Sequence, residues 1–267
     1  MLHYLALLII LFGCSSSDDA SQKPLQTKKG EYIARRSDEY HFAIKPPEKA
    51  SIEPYPWEKQ TLSHHPRITK EFFRCNGSSL NPPHCIKKNE ETIRYYDCSG
   101  SSKHSLPLKE GKEFIFPILI ELLNHIQEKT GKQVVITSGH RCPEHNSYVD
   151  PSPENQYSKH MIGAEVSFYV QGIEENPEKI VQLLIDFYKG QKDYESFQRY
   201  EKTDTNVSTQ PWFNKEIFIK IFKKKEGRNL DNRHPYPYIS IQVRYDRDSQ
   251  EKIIYSWDKA YRNFLRR

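Results

Sequence analysis

Residues 134–170, VVITSGHRCPEHNSYVDPSPENQYSKHMIGAEVSFYV, hold the densest set of side chains able to do chemistry. Arg141 stands between His140 and His145, and His160 and Glu165 follow in the same stretch. An imidazole can ligate a metal or carry a proton, and a guanidinium can hold a carboxylate or a developing oxyanion by charge-assisted hydrogen bonds. Each residue also has a plainer reading. Arg141 can pair with a local acid such as Glu144, and His160 can be a hydrogen-bonded structural histidine. Asn146 and Ser158 suit the capping of loops and turns.

The ordered residues Ser138, Gly139, Arg141, Pro143, Asn146, Ser158, His160 and Gly163 resemble the core signature of the zinc D-alanyl-D-alanine carboxypeptidases. That group includes the vancomycin-resistance-type D,D- and L,D-carboxypeptidases and has the hedgehog/DD-peptidase fold. The family signature is a strand leading into Ser-Gly-Tyr-Arg-Ser-Pro, then an Asn, then Ser-x-His, then a Gly-x-Ala-x-Asp strand. The resemblance implies a zinc ion held by the His of Ser-x-His, by that Asp and by a His on a late strand. A fourth position is left for water, and a nearby Glu moves the proton.

Carried over residue by residue, the resemblance puts His160 in the first ligand position. Ser167 stands where the Asp should be, and Ser240 stands for the late histidine within Tyr238-Ile239-Ser240-Ile241-Gln242. Neutral hydroxyls are poor zinc ligands, and one imidazole cannot hold the ion against water. Glu165 shares a strand face with Ser167 but lies about 6.7 Å back along it, which is expected to be out of reach. His234 is separated from Ser240 by Pro235 and Pro237, which break a strand. A rebuilt metal site from His160, His140 or His145, Glu165 and His234 is the alternative. The resemblance also implies that Arg141 contacts the substrate carboxylate or the oxyanion. The loop EGRNLDNRHPYPY reads either as a solvated turn or as a groove rim on which Arg228, Arg233 and His234 meet an acidic ligand.

The elements that must position these groups follow from periodicity. Phe116, Leu119, Leu122, Leu123 and Ile126 predict a helix over 112–130, with Pro117 in its first turn and Gly131 as its stop. QVVIT suits a buried strand. Asn176 and Pro177 open a second helix that runs toward Gly190. EIFIKIFKK and YISIQVRY alternate in steps of two, KIIYSW follows as a strand, and DKAYRNFLRR closes as a short helix. Together they predict an α+β domain, with helices packed on a mainly antiparallel sheet as in the DD-peptidases.

Composition bounds the rest. Of 267 residues, 40 are Lys or Arg against 35 Asp or Glu, with no concentrated basic stripe, so a nucleic-acid partner is not expected. Residues 1–13 read as a lipoprotein signal peptide, with Cys14 as the lipidation site, and residues 14–60 as a disordered polar tether. Residues 61–267 are expected to form one carboxypeptidase-like domain, of which 61–110 is loop-rich. In an exported chain, Cys75, Cys85, Cys98 and Cys142 predict two disulfides, and a zinc knuckle built from all four is the rival.

The leading functional expectation is a bacterial cell-envelope lipoprotein, periplasmic or wall-facing and anchored to the membrane by lipid. It would bind peptidoglycan stem peptides or another envelope component without hydrolysing them. No cofactor is expected in that case. The enzyme alternative is an active zinc D,D-carboxypeptidase with a rearranged metal site, and the third is a structural envelope protein without a ligand.

Overall fold

Pro117 fixes where the first long helix begins. Phe116 before it is held extended, as the residue ahead of a proline must be, so the helix α1 runs Pro117–Thr130 rather than from residue 112. Lys112–Glu113 instead pairs with Leu108–Lys109 as a two-residue ladder. The helix ends where Gly131 turns left-handed (φ 61°) and donates its N–H to Gln127.

The computed structural model describes residues 61–62, 64–88, 90–199 and 211–267, which fall in one compact unit, Pro54–Arg267. The signal peptide, Cys14 and the tether lie outside the described residues. No described helix is long and apolar enough to cross a membrane.

Besides α1, the chain forms a hairpin of β1 (His84–Lys88) and β2 (Glu91–Tyr95), then β3 (Val134–Ser138) and α2 (Pro143–Val149). It continues with β4 (Glu165–Val170), α3 (Pro177–Phe187), β5 (Gln198–Arg199), β6 (Trp212–Phe213), β7 (Ile217–Phe222), β8 (Tyr238–Val243) and α4 (Trp257–Arg262). Six strands join in the order β3-β4-β8-β7-β6-β5, with every neighbouring pair antiparallel. The fold is α+β. KIIYSW departs from its strand reading: only Glu251–Lys252 pairs, and Ser256 then caps α4 by accepting from Lys259 N–H.

Alternation along the sheet separates core from cleft. Val166, Phe168 and Val170 of β4, Ile217, Ile219 and Ile221 of β7, and Ile239, Ile241 and Val243 of β8 are buried in one apolar cluster. Leu119, Leu122, Leu123 and Ile126 of α1 and Ile180, Val181 and Leu184 of α3 belong to the same cluster. The intervening residues, Glu165, Ser167, Lys220, Phe222, Tyr238, Ser240 and Gln242, therefore share the opposite face.

The loop-rich segment contains more structure than its composition suggests, namely the β1–β2 hairpin and two short 3-10 turns, Lys70–Phe73 and Ser101–Lys103. It does not contain the expected disulfides. All four cysteines are free: Cys85 is exposed on β1, away from the buried group of Cys75, Cys98 and Cys142, and within that group Cys75 Sγ and Cys98 Sγ stand 3.9 Å apart, well beyond an S–S bond of about 2.05 Å.

Candidate functional site

Strand register assembles the floor of the site. Ser138 of β3 pairs with Ser167 of β4, Ser167 with Ser240 of β8, and Ser240 with Lys220 of β7, so one row of polar residues crosses four strands. Ser167 and Ser240, the two positions the resemblance assigns to metal ligands, are thus direct cross-strand neighbours. They are part of the polar face beneath a cleft of about 390 Å³ whose lining includes Arg141, His160, Glu165, Lys220, Tyr238 and Gln242.

His160 enters this cleft from the 3-10 turn Lys159–Ile162, just ahead of β4. Its Nδ1–H donates to the Gly139 carbonyl at 2.7 Å, which leaves Nε2 facing Oε1 of Glu165 at 3.6 Å. Burial pushes the imidazole pKa down, against the Glu165 carboxylate, which pulls it up. Burial opposes ionisation of Glu165, yet the nearby imidazole, hydrogen bonds from Gln242 and Ser240 and the charge on Arg141 hold its carboxyl below the usual value. Oε1 accepts from Ser240 Oγ at 2.7 Å and from Gln242 Nε2 at 3.0 Å. Glu165 is therefore within reach of the histidine, contrary to the expectation from strand spacing. The ring comes from the turn before the strand, so it lies over the start of β4, beside Glu165.

The donor set does not fit a catalytic zinc ion. His160 Nε2 and Glu165 Oε1 are two donors where three are needed, and Oε1 already serves two hydrogen-bond donors. The rebuilt alternative is not assembled either. His140 is fully buried with Nδ1 unpartnered and its ring against His104, and its pKa is pushed down to about 3 by burial. His145 is fixed between two carboxylates, Asp97 (2.6 Å) and Asp231 (3.0 Å). His234 packs among Tyr169, Tyr236 and Tyr238. Among the described residues, no group of three or more His, Cys, Asp or Glu ligand atoms converges in this cleft.

Arg141 is positioned by a residue far away in sequence. Its Nε donates to Oδ2 of Asp231 (2.9 Å) and to Ser138 Oγ (2.8 Å), and Ser138 itself donates to Asp231 (2.6 Å). Its partner is thus not Glu144, which pairs with Arg266 at 2.8 Å. Both of these Arg141 hydrogen bonds run through Nε, and among the described residues neither Nη group donates a hydrogen bond, which leaves the Nη edge for an anion in the cleft it lines. Asn146 and Ser158 join the flanking loops, Ser158 Oγ donating to Asn146 Oδ1 (3.1 Å) and Asn146 Nδ2 donating to the Asn155 carbonyl (2.6 Å).

Arg228, Arg233 and His234 do line one groove, of about 890 Å³, together with the β1–β2 hairpin. Arg228 is not available to an acidic ligand, however. Its N–H groups donate to the carbonyls of Lys223, Lys224, Asn232, His234 and Tyr236, which uses all five donors of a guanidinium. It ties the loop together from within. Asp231, in the same loop as those cations, is the acid that orients Arg141, and composition alone gives no signal for it.

Residues 98–202 match the family model described as Peptidase M15. The matched segment takes in α1, β3, the Arg141 loop, β4 and α3 and ends ahead of β8. The pairing of Ser240 with Ser167 thus rests on sheet register. No curated protein and no solved structure matches the chain.

Proposed function

We propose, for a chain that carries a zinc D-alanyl-D-alanine carboxypeptidase-like (M15) domain, that the cleft binds carboxylate-terminated peptidoglycan stem peptides without hydrolysing them. The observation that carries this reading is the polar row itself. Ser167 and Ser240, where the resemblance expects two metal ligands, are cross-strand partners, and Ser240 is engaged with Glu165 (2.7 Å), in a cleft that keeps a pre-oriented Arg141. A guanidinium held through Nε presents its Nη edge with little further ordering, which suits a terminal carboxylate. Lys159 and Lys220 add positive charge to the same lining. Export and attachment to the cell envelope by Cys14 belong to this proposal and place the cleft where such peptides occur.

The enzyme alternative is favoured by one observation, the 3.6 Å approach of Glu165 to His160. The test of both is calorimetric titration of the full chain with a D-alanyl-D-alanine-terminated peptide and its C-terminal amide, with the peptide recovered and weighed by mass spectrometry. The free carboxylate is expected to bind, and Arg141→Lys to weaken it roughly ten- to a hundredfold, the worth of a paired charge-assisted contact. Loss of the terminal D-alanine in a manner abolished by His160→Ala would establish the enzyme instead. Absence of measurable binding by the wild type would remove the binding reading.

A further inference from the structure

Away from the cleft, three thiols and one imidazole meet in a buried cluster to which neither the fold family nor the proposed function gives a role. Cys75 follows the 3-10 turn Lys70–Phe73, Cys98 follows β2, His104 follows the turn Ser101–Lys103, and Cys142 directly follows Arg141. All four are at most 5% exposed, and their ligand atoms lie within 4.8 Å of one another. We propose that Cys75, Cys98, His104 and Cys142 form a structural Zn(II) site that fastens the loop-rich segment to the Arg141 loop.

The spacing is that of a tetrahedral cage. A Zn–S bond of about 2.3 Å and a Zn–N bond of about 2.0 Å put two ligating sulfurs about 3.8 Å apart, and a sulfur and a nitrogen about 3.5 Å apart. Cys75 Sγ and Cys98 Sγ are 3.9 Å apart, and Cys98 Sγ and His104 Nε2 are 3.7 Å apart. With four protein donors the site is closed, as structural zinc sites are.

The surroundings suit a metal too. His104 Nδ1–H donates to the Ser105 carbonyl at 3.2 Å, which fixes the tautomer and leaves the Nε2 lone pair for the ion. The Gly100 and His145 backbone N–H groups donate to the sulfurs of Cys98 and Cys142, both at 3.4 Å, an arrangement that stabilises thiolates. Glu144 accepts from the Cys142 thiol at 3.6 Å and keeps Arg266 as a partner at 2.8 Å once that proton leaves. A Cβ on Gly77 would lie 2.1 Å from Cys98 Sγ, so the chain passes the cluster at a distance only glycine allows.

Packing shows what the ion would do. Cys75, Cys98 and Cys142 are a buried cluster of their own, separate from the main apolar core. Three thiols are a weak core for a segment with no disulfide. Zn(II) displacing their protons to solvent and taking the imidazole lone pair would supply that stability directly. Cys85, exposed on β1, has no part in the site.

The decisive measurement is metal content of the full chain, purified without a histidine tag and dialysed against a mild chelator. One equivalent of zinc is expected, unchanged by Cys85→Ser or His160→Ala, lost in Cys98→Ser and His104→Ala, and retained in His104→Cys. Should those variants fail to fold, the wild type decides alone. A mercurial titration should then release the zinc as three thiols react, and Co(II) exchange should give the intense thiolate charge-transfer band of a tetrahedral site. Zinc that follows His160 rather than Cys98 would overturn the proposal, as would metal-free wild-type protein that takes up no zinc when titrated with it, whether peptide mapping finds the three thiols reduced or Cys75 joined to Cys98 or Cys142 by a disulfide.

Discussion

Oε1 of Glu165 faces Nε2 of His160 at 3.6 Å, so the cleft opposes one carboxylate to one imidazole, and among the described residues no third His, Cys, Asp or Glu ligand atom converges on the pair. The resemblance assigns the two missing ligands to Ser167 and Ser240, which are register partners on the face that carries Glu165. The double change Ser167→Asp with Ser240→His is therefore expected to create a second zinc site, with affinity raised by orders of magnitude because chelation needs all its ligands together. Chelator-competition titration should show a new equivalent that His160→Ala abolishes and Cys98→Ser leaves in place. If no equivalent is gained, His160 does not face those two positions.

Arg228 gives a separate expectation. Its five N–H groups satisfy five carbonyls of the loop that also supplies Asp231. Arg228→Lys retains the charge but has three donors on one nitrogen, and cannot span that spread. We expect the variant to lose roughly 2 kcal/mol or more in chemical denaturation, from carbonyls left unpaired, and to be cut by proteases within residues 223–236. Wild-type stability with unchanged proteolysis would show that other contacts, such as Tyr238 Oη donating to the Gly227 carbonyl at 2.5 Å, suffice.

Local periodicity made the frame legible. The 3.6-residue stripe of α1, the Asn176-Pro177 start of α3 and the alternation in β7 and β8 all depend on near neighbours in the chain, and the signature around Arg141 and His160 located the cleft. What stayed hidden depends on contacts between distant residues. The Asp231–Arg141 pair spans 90 residues, and a charge-rich loop reads by composition as its cations. The reach of Glu165 was misjudged because strand spacing alone says nothing of where the preceding turn sets His160. The cysteines were counted correctly but grouped wrongly, since an even number suggests pairs, while burial separates Cys85 from the other three and brings His104 to them.

Gly139, between Ser138 and His140 in the signature, has a steric reason to be glycine. A Cβ there would come within 2.6 Å of Phe73 Cα and 2.7 Å of its carbonyl oxygen, and that oxygen accepts from His140 N–H at 2.6 Å. Backbone cannot swing aside as a side chain can, so Gly139→Ala should cost about 1–3 kcal/mol and disturb both Arg141 and Cys142 downstream. Denaturation midpoints, with zinc content measured in parallel, check this. An unaltered midpoint would mean that the Phe73 segment moves freely.

Asp231 carries the acid sensitivity of the site. Burial alone would raise its pKa, but the Arg141 guanidinium, the His145 ring and the Ser138 hydroxyl together hold the carboxyl well below its ordinary value of 3.8. A carboxyl depressed in the folded state binds protons more readily when unfolded. Its contribution is therefore fully present above the unfolded value and is lost as pH falls through the folded one. Asp231→Asn breaks a buried ion pair and should cost roughly 3–5 kcal/mol near neutral pH. Because the wild type loses the same advantage on acidification, the stability gap should narrow as pH drops below about 4. Urea denaturation of both proteins at pH 7, 5, 4 and 3 measures that gap directly, and acid release of any bound zinc, common to the two, cancels in the difference. A gap that stays constant across this range would mean that Asp231 is not ionised in the native protein and that Arg141 is oriented by Ser138 alone.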